Sequence, residues 1–278
     1  MRNNIIAIMY DFDKTLCARD MQEYTFFPSL GIDANGFWNE ANKLRENCKM
    51  DQVLSYMYLM FKKTVENNRS LKRDYLNSMG ENIELFPGVM EWFDRINEYG
   101  KSLGFEIEHY IISSGLKEII EGCPIGDKFK CIYASEFFYN EDGNAMWPNL
   151  AVNYTNKTQF LMRINKGILD ISDDNSLNDK MLDDARRIST SNMIYIGDGY
   201  TDVPCMKLTK ENGGVSIAVY TDKNYDTAKK LLLDGRINYM VKSDYNDGTE
   251  IDEIVKKTIK SMSINTELKN ISYKQANK

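Results

Sequence analysis

Short runs of consecutive apolar residues recur along the chain and predict buried strands. Runs without polar alternation are typical of strands that are covered on both faces, as in a parallel sheet. Four runs are clear and the last two are weaker: Ile5–Tyr10, 107–112, 193–196, Val215–Tyr220, 131–134 and 239–241. The chain therefore has the strand content expected of one large parallel sheet.

Apolar residues at helical spacing lie between these runs. The patterns cover 89–99, 160–168 and 251–259, and the first has Pro87-Gly88 before it and Gly100 after it. Strands that alternate with helices predict an α/β fold with a doubly wound, Rossmann-like parallel sheet.

Two stretches depart from that alternation. Helical spacing dominates between the first two strands, at 37–44, 53–65 and 71–79, which predicts a helical domain over 18–84 inserted into a core made of 1–17 and 85–278. Later, apolar residues flank Asp142-Gly143, a dipeptide that favours a tight turn, so we expect a β-hairpin there.

Composition narrows the function classes. The formal net charge of -6 and the pI of about 5.1 argue against a nucleic-acid surface. The five cysteines have no CxxC spacing, and the single histidine leaves little for a zinc site or a Ser-His-Asp triad. No apolar run is long enough to span a bilayer or form a signal peptide, so we expect no membrane association and a cytoplasmic location.

Carboxylates follow the first strand. Asp11 and Asp13 come directly after Ile5–Tyr10, and the carboxyl ends of such strands are where ligands bind in open α/β sheets. Two close carboxylates repel each other and need a cation or a shared proton, and a divalent cation with oxygen ligands meets that need. A solvated acidic turn is the alternative interpretation.

A second acidic motif follows a later strand. Gly197-Asp198-Gly199 is followed by Asp202, and the glycines permit a tight turn. A dinucleotide fingerprint is the alternative, but its third glycine position is Asp202, and the Walker pattern is absent. The 107–112 strand ends in Ser113-Ser114-Gly115, which suits an anion site before a helix; helix capping by Ser114 is the simpler alternative.

In this order, Asp11-x-Asp13-x-Thr15, Ser113, a lysine and Gly197-Asp198-Gly199-x-x-Asp202 resemble the haloacid dehalogenase-like hydrolase superfamily. The resemblance covers roughly residues 5–220. The helical insert resembles that superfamily's cap, and the hairpin before the lysine resembles its phosphoserine-phosphatase-like branch.

The resemblance implies a role for each residue. Asp11 would attack phosphorus and form an aspartyl-phosphate, and Asp13 would protonate the leaving group and then activate water. Mg²⁺ would be held by Asp11, the backbone carbonyl of Asp13, and Asp198, with Asp202 in support. The Ser113 side chain and the N–H of Ser114 would bind the phosphoryl group.

The lysine that neutralises this site is assigned by position. Lys157 follows the hairpin and opens a helix, as in the family, whereas Lys166 lies about two turns on and is expected to face solvent. Asp20 lies where phosphoserine phosphatases place a substrate-contacting glutamate, although a solvated aspartate is the simpler interpretation. We expect 170–184 to be a surface insertion.

An aspartate at position 13 separates this chain from the dehalogenases of the superfamily, which lack an acid there, and from its ATPases, which carry threonine. The sequence thus predicts a Mg²⁺-dependent phosphatase that hydrolyses a small phosphorylated metabolite. A phosphomutase or phosphotransferase with the same nucleophile and a non-catalytic phospholigand-binding module remain as alternatives.

Overall fold

A seven-stranded sheet organises the molecule in the computed structural model, which describes residues 4–182 and 185–276. Its strand order is β4-β3-β2-β1-β5-β6-β7. The strands are β1 Ile5–Tyr10, β2 Glu106–Leu116, β3 Cys131–Tyr139, β4 Ala145–Leu150, β5 Met193–Gly197, β6 Val215–Tyr220 and β7 Tyr239–Lys242. All six predicted strands are present, and the α/β class with a mostly parallel sheet is confirmed.

Eleven α-helices occur in the described ranges, and they cover both faces of the sheet and form the segment before β2. They are α1 Phe26–Leu30, α2 Ala34–Cys48, α3 Gln52–Glu66, α4 Arg73–Met79, α5 Val89–Ser102, α6 Lys117–Glu121, α7 Lys157–Lys166, α8 Asp174–Asn178, α9 Val203–Glu211, α10 Tyr225–Leu233 and α11 Glu250–Ala276. None of them combines the length and the apolar character needed to cross a membrane.

The central strand shows why the apolar runs lack alternation. Every residue of β1 is buried, and its side chains alternate between two hydrophobic clusters on opposite faces of the sheet. Ile6 and Ile8 pack with α5 and α11, whereas Ala7 and Met9 pack with α7 and α9. A doubly covered strand needs apolar residues at every position.

The helical segment predicted between the first two strands is present as α1 to α4, although α1 was not predicted. The chain leaves and re-enters the core at adjacent points, because Cys17 and Leu85 form an antiparallel bridge and the Phe86 N–H donates to the Leu16 carbonyl at 2.9 Å.

The hairpin is also present. β3 and β4 pair antiparallel, and Gly143 takes a left-handed φ of 74° at the predicted turn. The hairpin contacts the helical segment through backbone hydrogen bonds, since the Ala145 N–H donates to the Leu71 carbonyl at 2.8 Å and the Arg73 N–H to the Gly143 carbonyl at 3.0 Å. The helical segment is thereby held against one edge of the sheet.

One predicted boundary is wrong. The helical pattern at 160–168 overshoots, because α7 ends at Lys166 and Gly167 adopts a left-handed φ of 80°. The Ile168 N–H donates back to the Arg163 carbonyl at 3.0 Å, which closes the helix end. Of the expected insertion at 170–184, the short helix α8 is described, and residues 183 and 184 lie outside the described ranges.

Candidate active site

Two neighbouring strands place the acidic motifs side by side. β1 and β5 are parallel neighbours, so the residues after each strand meet at the same edge of the sheet. The Asp11 N–H donates to the Ile196 carbonyl at 2.9 Å, which holds Asp11 beside the loop that carries Asp198. Sheet topology alone brings together residues that are nearly two hundred positions apart.

Lys157, at the start of α7, lies fully buried behind Asp11. Its Nζ is 3.0 Å from Asp11 Oδ1 and 2.8 Å from Asp202 Oδ1. Burial alone would lower the pKa of Lys157, but the Asp11 and Asp202 carboxylates outweigh it and raise the pKa, so the ammonium stays charged. The site thus contains a fixed positive charge next to Asp11.

Asp202 organises the loop rather than facing the cavity. Besides Lys157, its Oδ1 accepts a hydrogen bond from the Tyr195 hydroxyl at 2.8 Å. Its Oδ2 accepts the Asp198 N–H at 3.2 Å. Asp202 is completely buried, and both of its carboxylate oxygens are engaged by groups of the chain.

Asp198 differs from Asp202 in its partners. Its backbone N–H binds Asp202, and its carbonyl accepts the Asn224 side-chain amide at 3.1 Å. Its carboxylate has no hydrogen bond or ion pair within the described ranges. Burial, followed by the charges of Asp202 and Asp11, raises the pKa of Asp198 well above its usual range.

The carboxylates form a compact cluster. Oxygens of Asp11, Asp198 and Asp202 all lie within 4.8 Å of one another. Burial raises the pKa of Asp11 to about 6, against the opposing effect of Lys157. The third carboxylate of the cluster belongs to Asp202 and not to Asp13. The family resemblance implies that Asp13 binds the metal through its backbone carbonyl, so its carboxylate is not expected in the cluster.

Asp13 is held by the segment that starts the helical insert. Its Oδ1 accepts the Met21 N–H at 2.9 Å, and Lys14 next to it adopts a left-handed φ of 59°. Removal from water, followed by the charges of Asp20 and Asp11, raises the pKa of Asp13 well above its usual range. The pKa values of the neighbouring Asp11 and Asp13 carboxyl groups are therefore raised to different extents, and Asp13 holds a proton more readily.

The Ser113-Ser114 segment lies at the end of β2, on the other side of Asp11. Ser113 is buried, and its Oγ accepts the Gly115 N–H at 3.1 Å. The capping alternative for Ser114 is wrong, because β2 continues to Leu116 and α6 begins only at Lys117. The Ser114 carbonyl instead accepts the Tyr56 hydroxyl of α3 at 2.6 Å.

A cavity of about 750 Å³ opens between this edge of the sheet and the helical segment. Asp11, Asp13, Ser113, Ser114 and Asp198 all line it. Residues from the helical segment and from neighbouring loops also line the cavity, and Asp20 is the one among them that the sequence analysis named as a candidate. It did not identify the following lining residues as candidates: Gln22, Trp38, Asn42, Arg45, Tyr56, Asn153, Tyr154 and Tyr200. Their spacing carries no signal, because only the fold brings them to one cavity.

The remaining candidates lie elsewhere or are already paired. Lys166, which was expected to face solvent, is half-buried and donates to the carbonyls of Leu177 and Asp179, whereas Lys157 contacts Asp11. Asp20 lines the cavity, and both of its oxygens bind the Lys14 ammonium at 2.8 Å.

Comparison with known proteins identifies a family and several relatives. Residues 8–207 match the family model of the haloacid dehalogenase-like hydrolases. An uncharacterized protein of Borreliella burgdorferi is 28% identical over 285 residues, and the match covers 90% of this chain and 95% of that protein.

Solved structures share the fold at low sequence identity. A HAD family hydrolase from Salmonella enterica superposes with a TM-score of 0.59 at 18% identity, covering 87% of this chain and 68% of that one. A phosphoserine phosphatase with an analogue of its phospho-aspartyl intermediate gives 0.54 at 15% identity, covering 92% and 99%. A probable phosphoserine phosphatase from Vibrio cholerae gives 0.55 at 12%, covering 96% and 68%.

Proposed function

The chain belongs to the haloacid dehalogenase-like hydrolase family, and from that premise we propose that it is a Mg²⁺-dependent phosphatase of small phosphomonoesters, with Asp11 as the nucleophile. The observation that carries the proposal is the buried contact of Asp11 with Lys157, beside Asp198 and Asp13 at one end of a cavity. This arrangement combines a carboxylate nucleophile, a fixed cation and a second carboxyl group in one place.

The donor set suits a divalent cation. Asp11 and Asp198, with the backbone carbonyl of Asp13, would hold Mg²⁺, because the Asp198 carboxylate has no partner in the described chain and oxygen ligands are what Mg²⁺ prefers. Asp202 would support the loop, since its oxygens are already engaged. When bound, the cation would supply positive charge that offsets the phosphoryl oxygens and the clustered carboxylates.

The first step is attack by an Asp11 carboxylate oxygen on phosphorus. The new oxygen–phosphorus bond forms as the bond to the leaving alcohol breaks, and Asp13 gives its proton to that alcohol. The raised pKa of Asp13 supports this role, because a carboxyl group that holds a proton near neutral pH can act as a general acid. Asp13 then takes a proton from the water that attacks the aspartyl-phosphate, which releases phosphate and restores Asp11.

Positioning residues surround the phosphoryl group. The Ser113 hydroxyl and the Ser114 N–H would bind its oxygens, and the Lys157 ammonium would balance their charge. Lys157 also keeps Asp11 ionised, because its charge opposes the rise in pKa that burial causes. The residues of 18–84 would form a cap that covers the cavity and limits access of bulk water.

The proposal is tested by the hydrolysis of p-nitrophenyl phosphate with and without Mg²⁺. We expect the wild-type protein to release p-nitrophenol and inorganic phosphate in equal amounts when Mg²⁺ is present. The variant Asp11→Asn should lose this activity, because an amide is a far weaker nucleophile, and its circular dichroism should be unchanged.

A matched control is Asp127→Asn, which removes an exposed carboxylate in the turn before β3 and should keep full activity. Retention of activity in Asp11→Asn would overturn the nucleophile assignment. A deficit of phosphate relative to p-nitrophenol on adding an alcohol acceptor would favour a phosphotransferase instead.

A further inference from the structure

The last helix, α11, extends beyond the body of the molecule. Its first half is anchored by four buried apolar residues at helical spacing: Ile251, Val255, Ile259 and Met262. Ser263 is the last buried residue of the helix, and from 264 to 276 every residue is exposed except Thr266, which is half-buried. Over about three and a half turns, or roughly 20 Å, the helix therefore projects into solvent.

The projecting turns carry an apolar stripe of their own. Ile264, Leu268 and Ile271 follow one another at helical spacing, and they are 50, 58 and 53% exposed. Because successive residues of a helix are about 100° apart, Ile264 points roughly 200° away from Met262. The apolar face thus changes sides where the helix leaves the body, and the second face is turned to solvent.

A second helix would stabilise these turns, because a helical segment of this length is only marginally stable in water by itself. The spacing of the stripe is that of a coiled-coil seam, with Ile264 and Ile271 at d positions and Leu268 at the a position between them. Glu267 and Lys274 then occupy consecutive g positions. Charges at these positions flank the seam and determine the partner and its direction.

Charge complementarity identifies a second copy of this helix as the occupant. When two copies pair antiparallel with Leu268 of one against Ile271 of the other, Glu267 of each lies beside Lys274 of the other, and two ion pairs form. A shift of one heptad would instead bring the two Glu267 carboxylates together. A parallel pair would place Glu267 beside the uncharged Ser272. The stripe is therefore complementary to itself in one antiparallel register, as a closed two-fold interface requires.

The projecting turns lie at the edge of the sheet opposite the candidate active site. Beside them, a groove of about 550 Å³ is lined by Asn192, Gly213 and Tyr239, which lie just before β5, just before β6 and at the start of β7. The acidic motifs instead follow the carboxyl ends of β1 and β5. Leu268 also lines this groove, so the apolar surface continues from the stripe onto the body. Pairing at this edge leaves the catalytic cavity open.

We propose that the chain forms a symmetric homodimer in which the projecting turns of α11 pair antiparallel. The apolar stripes of the two copies form the seam, and the ion pairs of Glu267 with Lys274 flank it. The interface is short compared with standard protein–protein interfaces, so we expect weak association, with a dissociation constant on the order of 10 μM. The dimer does not depend on the proposed phosphatase function.

Sedimentation equilibrium over about 1–300 μM protein, a range that brackets such a constant, tests the dimer. The average mass should rise with concentration from 32.2 kDa toward twice that value. Leu268→Glu places a charge in the seam and should raise the dissociation constant by at least about tenfold. The control is Val65→Glu, which introduces the same charge at a 52% exposed residue of α3 and should leave the association unchanged. Circular dichroism verifies that each variant is folded.

Charge exchange tests the direction and the register. Glu267→Lys and Lys274→Glu each replace two attractive contacts between the copies with two repulsive ones, so each should raise the dissociation constant by about tenfold at low salt. The double variant Glu267→Lys/Lys274→Glu restores opposite charges in the antiparallel register and should return the constant close to the wild-type value. High salt should reduce these differences.

The inference is overturned by a wild-type protein that keeps the monomer mass over the whole concentration range. It is also overturned if folded Leu268→Glu associates as tightly as the wild-type protein, because the seam would then lie elsewhere. A double charge variant that associates no more tightly than the two single variants would contradict the antiparallel pairing of Glu267 with Lys274.

Discussion

Lys157 is the residue on which the charge balance of the site depends. It is fully buried between Asp11 and Asp202, and removal of one partner from a buried ion pair leaves an uncompensated charge. The substitution Lys157→Ala should therefore lower kcat/KM by at least about 100-fold and lower the melting temperature. Steady-state kinetics and thermal melting measure the two effects.

The matched change is Lys166→Ala on the same helix. Lys166 donates to the carbonyls of Leu177 and Asp179, at the end of α8, and does not touch Asp11, so this variant should keep most of its activity. The reverse order of the two variants would show that the wrong lysine was assigned.

His109 allows a test of how burial changes a pKa and, with it, the pH dependence of stability. It is the single histidine of the sequence, so no other imidazole contributes to the effect. Its Nδ1 lies 3.0 Å from the Tyr10 hydroxyl and its Nε2 lies 3.0 Å from Asn97 Oδ1. The neutral ring with its proton on Nε2 satisfies both contacts. Burial lowers the pKa of His109 to about 3.

The sign of the pH effect follows from this lowered pKa. Below pH 6.5 the unfolded chain takes up a proton at His109 that the folded protein does not, so the free energy of unfolding falls as the pH drops toward 3. The fall is about 1.4 kcal/mol per pH unit, or about 2 kcal/mol between pH 6.5 and 5. Urea unfolding across this range should show a smaller fall for His109→Gln; identical pH dependence in both proteins would contradict the account.

At the scale of elements, the turn from β5 into the loop that follows it contains two glycines, Gly197 and Gly199, and depends on one of them. A Cβ on Gly197 would lie 2.5 Å from Asp202 Oδ2, whereas a Cβ on Gly199 would meet nothing within 4 Å. Gly199 also has an extended backbone, with a φ of -159°, which any residue adopts. Close approach of the Asp202 carboxylate is therefore what requires a glycine at 197.

This difference predicts a contrast in stability. Gly197→Ala should lower the free energy of unfolding by about 1–3 kcal/mol, because Asp202 must move away from its buried partners. Gly199→Ala should change it by less than about 0.5 kcal/mol. Denaturant unfolding of the two variants decides the point, and equal effects would show that the loop does not rely on this contact.

Local sequence patterns could predict most elements but not their ends or their neighbours. The strands were predictable because burial on both faces demands unbroken apolar runs, and α7 was placed by its spacing. Its end was not, since Gly167 stops the helix before the apolar Ile168. The link between Tyr56 and the Ser114 carbonyl joins residues far apart in sequence, so no local pattern contains it.

At the scale of the whole molecule, the candidate site is assembled by the order of strands. Asp11 and Asp198 follow β1 and β5, and Ser113 lies near the end of β2. These three strands are neighbours in the sheet. The sequence predicted that these residues lie at strand ends, and the family resemblance supplied the grouping. It could not supply the partners in the wall of the cavity, such as Gln22 and Trp38, because the packing of 18–84 against the core decides them.

The central claim is that Asp11 carries the phosphoryl group during turnover, and trapping that group tests it most directly. The protein is mixed with excess p-nitrophenyl phosphate and Mg²⁺, quenched in acid within the first turnovers, and treated with borohydride, which reduces an aspartyl-phosphate to homoserine. Peptide mass spectrometry should then find homoserine at position 11, and only when substrate is present. Rapid turnover with an unmodified Asp11, or with homoserine at another aspartate, would contradict the account.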